Sequence, residues 1–232
     1  MALLKFGGGI TEMRGSIGGT VFSRNRSGAI ARQRTTPVNP QSTRQNAARA
    51  VMALVSANWF NALSAANRAA WNLFADNVPS TNKLGEVINL SGFNQFCKSN
   101  AAAINAGLAA IAGGPTTFVL PGEDATFAVA ASEATQLLTL TYDDARTWCG
   151  EDGGALIVQM GIPQGASISY FNGPWRAAGV VAGDSGTPVS TGETVTAPFY
   201  ITEDEQLFVR ARILRADGRL SDWFRVSISC AA

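Results

Sequence analysis

"LFVRARIL", residues 207–214, sorts its side chains by parity. Leu207, Val209, Ala211 and Ile213 fall on one side of an extended chain, and Phe208, Arg210, Arg212 and Leu214 on the other. A period of two belongs to a β-strand with one face in a core and the other largely solvated. The turn-rich "ADGRLSDW", 216–223, follows, and "FRVSISC", 224–230, takes up the alternation again. Upstream to residue 116 the same pattern recurs between turn residues, in "ATFAVA" (125–130), "QLLTLTYD" (136–143), "GALIVQMGI" (154–162), "SISYFN" (167–172) with "WRAAGVV" (175–181), and "ETVTAPFYI" (193–201). Six or seven short strands in series predict an antiparallel β-sandwich over residues 113–232.

Before Gly113-Gly114-Pro115 the period changes. Asn39-Pro40 offers a helix start, because Asn accepts from first-turn amides and Pro at the first helical position loses no hydrogen bond. Val51, Leu54, Val55, Trp59, Ala62 and Leu63 then lie at helical spacing. Ser64 is placed to cap a second helix with the stripe Ala66, Ala69, Ala70, Leu73 and Phe74. Ser91 is placed to cap a third, running to about residue 112 with Phe93, Phe96, Cys97, Asn100, Ile104, Leu108 and Ile111 near one face. Residues 39–112 are therefore expected to form a small helical module.

Residues 1–38 are different again: rich in glycine, ending near Pro37, and without a helical apolar period. "GTVFSRNRSGAIARQRT", 19–35, predicts a hairpin turning at Ser27-Gly28. It would place Phe22, Arg24 and Arg26 on one side and Val21, Ser23 and Asn25 on the other, with an apolar stripe on neither. The expectation is an extended basic arm with a possible hairpin, which stays flexible unless a partner supplies the missing burial. The fold class expected for the whole chain is α+β: arm, helical module, antiparallel sandwich.

Charge singles out the arm. The chain as a whole carries 18 Lys+Arg and 17 Asp+Glu, for a net charge of +1. Residues 1–49, however, hold Lys5 and seven arginines against the single carboxylate Glu12, and no acid occurs from residue 13 through 75. The remainder has ten bases and sixteen acids. A basic head and an acidic body suit contact between copies, or an arm aimed at an acidic protein or a nucleic acid. Solvated charge runs are usually mixed in sign, so the residues expected to make contact are Arg14, Phe22, Arg24, Arg26, Arg32, Arg34 and Arg44. Phe22 is the only aromatic between residues 7 and 58, too few for base stacking, which favours protein over nucleic acid as the partner. Arginine also suits protein interfaces through its planar fork and apolar stem.

Nothing in the sequence asks for catalysis. Histidine is absent, which removes the usual general base. Asp143-Asp144, Glu151-Asp152 and Glu203-Asp204-Glu205 fall at strand ends where solvated turns are expected, and the first four lack calcium-loop spacing. Gly15-Ser16-Ile17-Gly18-Gly19-Thr20 lacks the Lys-Ser/Thr ending of a phosphate loop. Cys97, Cys149 and Cys230 are odd in number and widely spaced, so reduced thiols are expected rather than a disulfide framework or zinc site. No cofactor is expected. Neither a signal peptide nor an apolar run of membrane length is present.

Two resemblances add to these readings. "LFVRARILRADGRLSDW" resembles the approach to the last edge strand of fibronectin type III domains, implying a fibronectin type III or Ig-like sandwich that acts as a binding or spacer module. "GSIGGTVFSRNR" (15–26), "TPVNPQS" (36–42) and "AAWN" (69–72), with "LSGFNQF" (90–96), are similar to a group of tailed-bacteriophage virion structural proteins. That resemblance implies a virion location after synthesis in the host cytoplasm, a non-enzymatic role, and the major capsid protein or other virion proteins as partners, with homo-oligomerisation. The expected role is capsid cement or decoration. The alternatives are a head-to-tail connector, collar or tail component, and an internal or packaging protein holding DNA through Arg14, Arg24, Arg26, Arg32 and Arg34.

Overall fold

The computed structural model describes residues 2–25, 28–82 and 84–232. It is mixed α+β, with three α-helices and several antiparallel sheets, and divides into two compact units, 1–97 and 98–232.

The first unit opens with β1 (Ala2–Leu4), β2 (Gly15–Ile17), β3 (Thr20–Asn25) and β4 (Gly28–Gln33), hydrogen-bonded in the order β1-β4-β3-β2. The expected hairpin is β3 and β4, whose tip lies outside the described residues. The rest of the segment departs from an extended arm: β1 adds to one edge of the hairpin and β2 to the other, so backbone groups that a lone hairpin would leave to water enter ladders. Leu3 stands opposite Ile30, and Phe22 opposite Gly15 and Ala31. Ile30 is nevertheless the one buried side chain among the described residues of this sheet.

The helices follow as α1 (Thr43–Ala57), α2 (Ala65–Asn77) and α3 (Gly92–Asn105), with the two-residue strands β5 (Ser80–Thr81) and β6 (Val87–Ile88) between the last two. The cap of α1 is Ser42, which accepts from the amide of Gln45, and not Asn39, whose side chain accepts from Arg49 instead. Ser64 caps α2 and Ser91 caps α3 as expected. A π-helical turn over Asn58–Ala62 continues α1 and shifts its buried face: Val55, Trp59 and Leu63 are buried, while Leu54 is exposed. In α2 the buried residues are Trp71, Phe74 and Ala75, and Leu73 faces water. The expected alanine stripe loses to tryptophan because one indole removes far more apolar surface from water than several methyls. Trp71 meets Phe96 edge-on at 5.5 Å, and Phe96 lies 5.3 Å from Trp59.

The division between the units falls inside α3, between Cys97 and Lys98. That helix ends at Asn105, earlier than expected, with Gly107 in the left-handed region at φ 78°. The fully buried Asn100 amide then takes both backbone groups of Ile111, donating to its carbonyl at 3.1 Å and accepting from its N–H at 2.7 Å. A side-chain amide mimicking a strand partner turns the chain back where the sequence suggests two more turns of helix.

The second unit holds β7 (Ala128–Ser132), β8 (Leu137–Thr141), β9 (Ala155–Gly161), β10 (Trp175–Ala182), β11 (Thr194–Thr196), β12 (Gln206–Leu214) and β13 (Phe224–Ser229). They form two antiparallel sheets, β11-β8-β7 and β10-β9-β12-β13, around one core. Leu138 and Leu140 from the first meet Leu156, Val158 and Met160 from β9 and Leu207, Val209, Ala211 and Ile213 from β12, and Trp148 belongs to the same core. The "SISYFN" segment forms no strand. The opposite face of β12 is also less solvated than its alternation suggests. Phe208 is buried, stacked on Phe171 at 5.6 Å, and Leu214 is buried among Ala102, Ala103, Ile157 and Leu220.

Gly92 shows how closely the helices of the first unit approach. A Cβ there would lie 2.7 Å from the Asn72 backbone nitrogen and 2.8 Å from its Cα. Gly92→Ala should therefore destabilise the protein by about 1 to 3 kcal/mol, through overpacking that only a backbone shift can relieve. Urea denaturation followed by tryptophan fluorescence measures it.

Candidate functional site: a basic sheet face

The residues expected to make contact all lie in the first unit. Register assigns their sides: cross-strand partners share a face, so Val21, Ser23, Ile30 and Arg32 share one side of the N-terminal sheet, and Phe22, Arg24 and Ala31 share the other. Arg24 and Arg32 are thus on opposite faces. Arg34 follows β4 by one residue, and its N–H donates to the Gly19 carbonyl at 2.7 Å, extending the ladder. Arg32 and Arg34, with Val21, Gln33, Thr35 and Pro37, line a groove of about 530 Å³. Arg44 is exposed in the first turn of α1. Arg26 lies outside the described residues.

One expectation needs correction. The acid-free run is not wholly unneutralised, because Glu12, just before it, reaches two of its members. The Glu12 carboxylate accepts from Arg14 Nε at 2.9 Å and lies 3.7 Å from an Arg24 nitrogen. All three side chains are well exposed, so each pair is worth about 1 kcal/mol or less. Elsewhere in the unit Lys5 pairs with Glu86 at 2.8 Å. Among the described residues, the ion pairs leave Arg32, Arg34 and Arg44 without a carboxylate. The site thus offers two guanidiniums in an open groove, a half-exposed Phe22 on the other face beside a partly paired Arg24, and the outer ladder edges of β1 and β2.

The acidic groups of the second unit have structural duties. Asp124 accepts from the amides of Thr126 and Asp143 and from the Thr126 hydroxyl. Burial pushes its carboxyl up, but these donors and the charge of Arg146 outweigh that and hold it below the usual range. Asp143 accepts from Ala145, Asp144 from Thr191, Asp152 from Ser185, and Asp184 from Gly186 and Thr187. Glu151 holds Arg215 through a two-pronged contact, Arg215 Nε at 2.8 Å and a shorter one to Nη2. Glu133 accepts from the Glu203 amide, and Glu205 from the Thr202 amide. These are turn and cap interactions, the reading favoured from strand-end placement. Among the described residues no group of three His, Cys, Asp or Glu is arranged to hold a metal ion, and no helix is long and apolar enough to cross a membrane.

The three cysteines are buried and unpaired. Burial, followed by Asp144, Asp143 and Asp124, pushes the Cys149 thiol up to about 11, so it stays protonated at neutral pH and is no nucleophile. Burial likewise lifts Tyr142 to about 12, and its hydroxyl donates to the Ser190 carbonyl at 2.7 Å.

Sequence reasoning missed the most organised set of cations, which is in the second unit. Arg210 lies over both Trp175 and Trp223, Arg212 over Trp223, and Arg225 beside Trp175. The signal was available as two arginines at two-residue spacing on the non-core side of β12, with tryptophans at the start of β10 and just before β13. No protein-family model matches this chain, and no curated protein sequence matches it either.

The carboxylates give a signed pH dependence. Hydrogen bonding from Arg215 holds Glu151 below its unfolded value of 4.5, and the Ser185 amide and hydroxyl hold Asp152 below 3.8. Because the folded values are depressed, this stability is present above the unfolded values and is lost as pH falls through the folded ones. The urea midpoint of the second unit should fall as pH is lowered from about 5 to about 2. Glu151→Gln should flatten part of that fall, which a pH series of urea titrations on both proteins measures.

Proposed function

We propose that this chain is a non-enzymatic structural protein of a tailed-bacteriophage virion, a capsid cement or decoration protein that grips neighbouring subunits through its N-terminal basic sheet. The observation that carries the reading is the mismatch in that sheet: four strands with Ile30 as the one buried side chain among the described residues, two open edges, and arginines without carboxylates along a 530 Å³ groove. Its missing burial and missing counter-charges are both things a capsid subunit offers, through acidic side chains, backbone carbonyls and apolar surface. The similarity of "GSIGGTVFSRNR", "TPVNPQS" and "AAWN" to virion structural proteins supports the setting.

Residues 98–232 are, on this reading, a fibronectin type III-like sandwich serving as spacer or binding module. The support is the three-plus-four division of seven strands, with β9 and β10 in one sheet and β11 returning to the other beside β8. Neighbouring copies also present net negative second units, suited to the basic sheet of another copy.

Arg24→Glu, Arg32→Glu and Arg34→Glu together test the reading. Removing one partner of a desolvated, forked ion pair costs about 3 to 5 kcal/mol, so the triple variant should keep its circular dichroism while its copy number in purified particles falls about tenfold or more. Incorporation at full copy number would overturn the clamp. So would wild-type protein that binds DNA with a steep salt dependence and ignores empty shells, which would favour the packaging reading. A native copy number of six or twelve, rather than hundreds, would move the protein to collar or tail.

A further inference from the structure

The face of β10-β9-β12-β13 turned away from the shared core carries a layered stack of cations and rings. Arg210 lies 4.2 Å from the Trp223 ring centre and 4.6 Å from that of Trp175. Arg212 lies 4.4 Å from Trp223, and Arg225 5.5 Å from Trp175. Trp223 therefore has two guanidiniums against its ring, Arg210 and Arg212. Cation–π contact offsets part of the cost of crowding like charges, but not all of it. Arg210 and Arg225 stand directly opposite across β12 and β13, a destabilising arrangement for like charges. The neutral Gln159 is what Arg210 bonds, at 2.7 and 3.0 Å. Among the described residues the ion pairs engage Lys5, Arg14, Arg24, Arg146, Arg215 and Arg219, and none of the stacked arginines.

Beside this stack is a groove of about 270 Å³ with Arg225 in its wall. Phe171 and Phe208 are stacked in it, Tyr170 is 70% exposed, and Ser169 and Ser227 supply hydroxyls. The aromatic wall is locked in place. Phe171 lies over Gly161, where any Cβ would come within 2.3 Å of its ring, and Trp175 meets it edge-on at 5.2 Å.

We propose that this groove binds an acidic saccharide, with the C–H face of a sugar ring on Tyr170 and Phe171, the sugar carboxylate on the Arg225 guanidinium, and ring hydroxyls on Ser169 and Ser227. Apolar ring surface, a preset cation and a few hydroxyls converging in one concavity make up a small-ligand site. The unneutralised arginines select an anion, and a guanidinium fork matches a carboxylate. Single-stranded nucleic acid would need free ring faces for stacking, whereas Trp223 already has Arg210 and Arg212 against it and Trp175 has Arg210 and Arg225. The groove volume lies just below the range of about 300 to 1,000 Å³ for ligand sites, fitting one sugar ring rather than a run of bases.

The test is isothermal titration of the full chain with oligogalacturonate, with maltohexaose as its uncharged counterpart and oligo-dT as the nucleic-acid probe. Oligogalacturonate should bind at least about tenfold more tightly than either. Arg225→Gln and Tyr170→Ala should each weaken it by about tenfold, while Arg68→Gln in α2 of the first unit leaves it unchanged. Should Arg225→Gln disturb folding, Ser227→Asp sets a repelling carboxylate in the groove from an exposed strand position and should weaken binding as much. No binding of oligogalacturonate, equal binding of maltohexaose, tighter binding of oligo-dT, or full affinity in Ser227→Asp would each overturn the proposal.

Discussion

An antiparallel sheet can satisfy its backbone hydrogen bonds by itself, but it cannot by itself bury apolar surface, and in this chain the two requirements are met in different places. The N-terminal sheet completes three ladders and, among its described residues, buries one side chain, Ile30. In water such a sheet is marginal, since a few strands without an apolar face recover little against the chain entropy of ordering them. The core of residues 98–232, in contrast, joins two sheets through Leu138, Leu140, Leu156, Met160, Leu207 and Ile213, all essentially removed from solvent. The chain is thus divided between a unit with a self-sufficient core and a sheet whose surface is still available.

Arginine is used in two ways that follow from this division. In the N-terminal groove Arg32 and Arg34 are exposed, without carboxylates, and attached to a sheet with little packing behind it. For an exposed, unbraced guanidinium of this kind the ordering cost falls on whatever contact it makes. On the outer face of the second unit Arg210 and Arg212 are half-buried and braced by indoles. Burial and the neighbouring Arg210 lower Arg212 to about 10, still charged at neutral pH. These cations are ordered before any ligand arrives. The first arrangement suits a large contact that remodels the chain, and the second suits a small, rigid recognition surface.

The strands of the second unit were legible because a strict period of two, bounded by turn residues, leaves few alternatives. Leu207, Val209, Ala211 and Ile213 fall on the core side as the alternation requires. The partners of the other side were not legible. Phe208 is covered by Phe171 from a segment that forms no strand, and Leu214 by Ala102 and Ala103, more than a hundred residues earlier. Helix positions were clear, but their buried faces were displaced wherever a tryptophan competed with alanines, as at Trp71, or a π-helical turn added a residue, as at Asn58–Ala62. Of the basic site, the hairpin and its two faces could be read from 19–35, whereas the flanking strands β1 and β2 could not. Three-residue strands carry no period of their own and are fixed by pairing alone.

The short strands also decide how the arginines are presented. Without β1 and β2, the β3–β4 hairpin would leave both its edges to water, and side chains on a free hairpin would sample many positions relative to one another. Pairing on both sides fixes the register, so that Val21 and Arg32 are held directly opposite and Phe22 faces Gly15 and Ala31. The Arg34 amide bonded to Gly19 carries the same alternation one step past the strand end, keeping Arg34 on the side of Arg32. Glu12 is attached just outside β2, where it reaches Arg14 and Arg24 but leaves Arg32 alone. The local carboxylate and the free guanidiniums are therefore kept on different parts of one sheet. A sheet built this way has its strongest unmet demand for negative charge in the groove of Arg32 and Arg34, which no ion pair among the described residues meets.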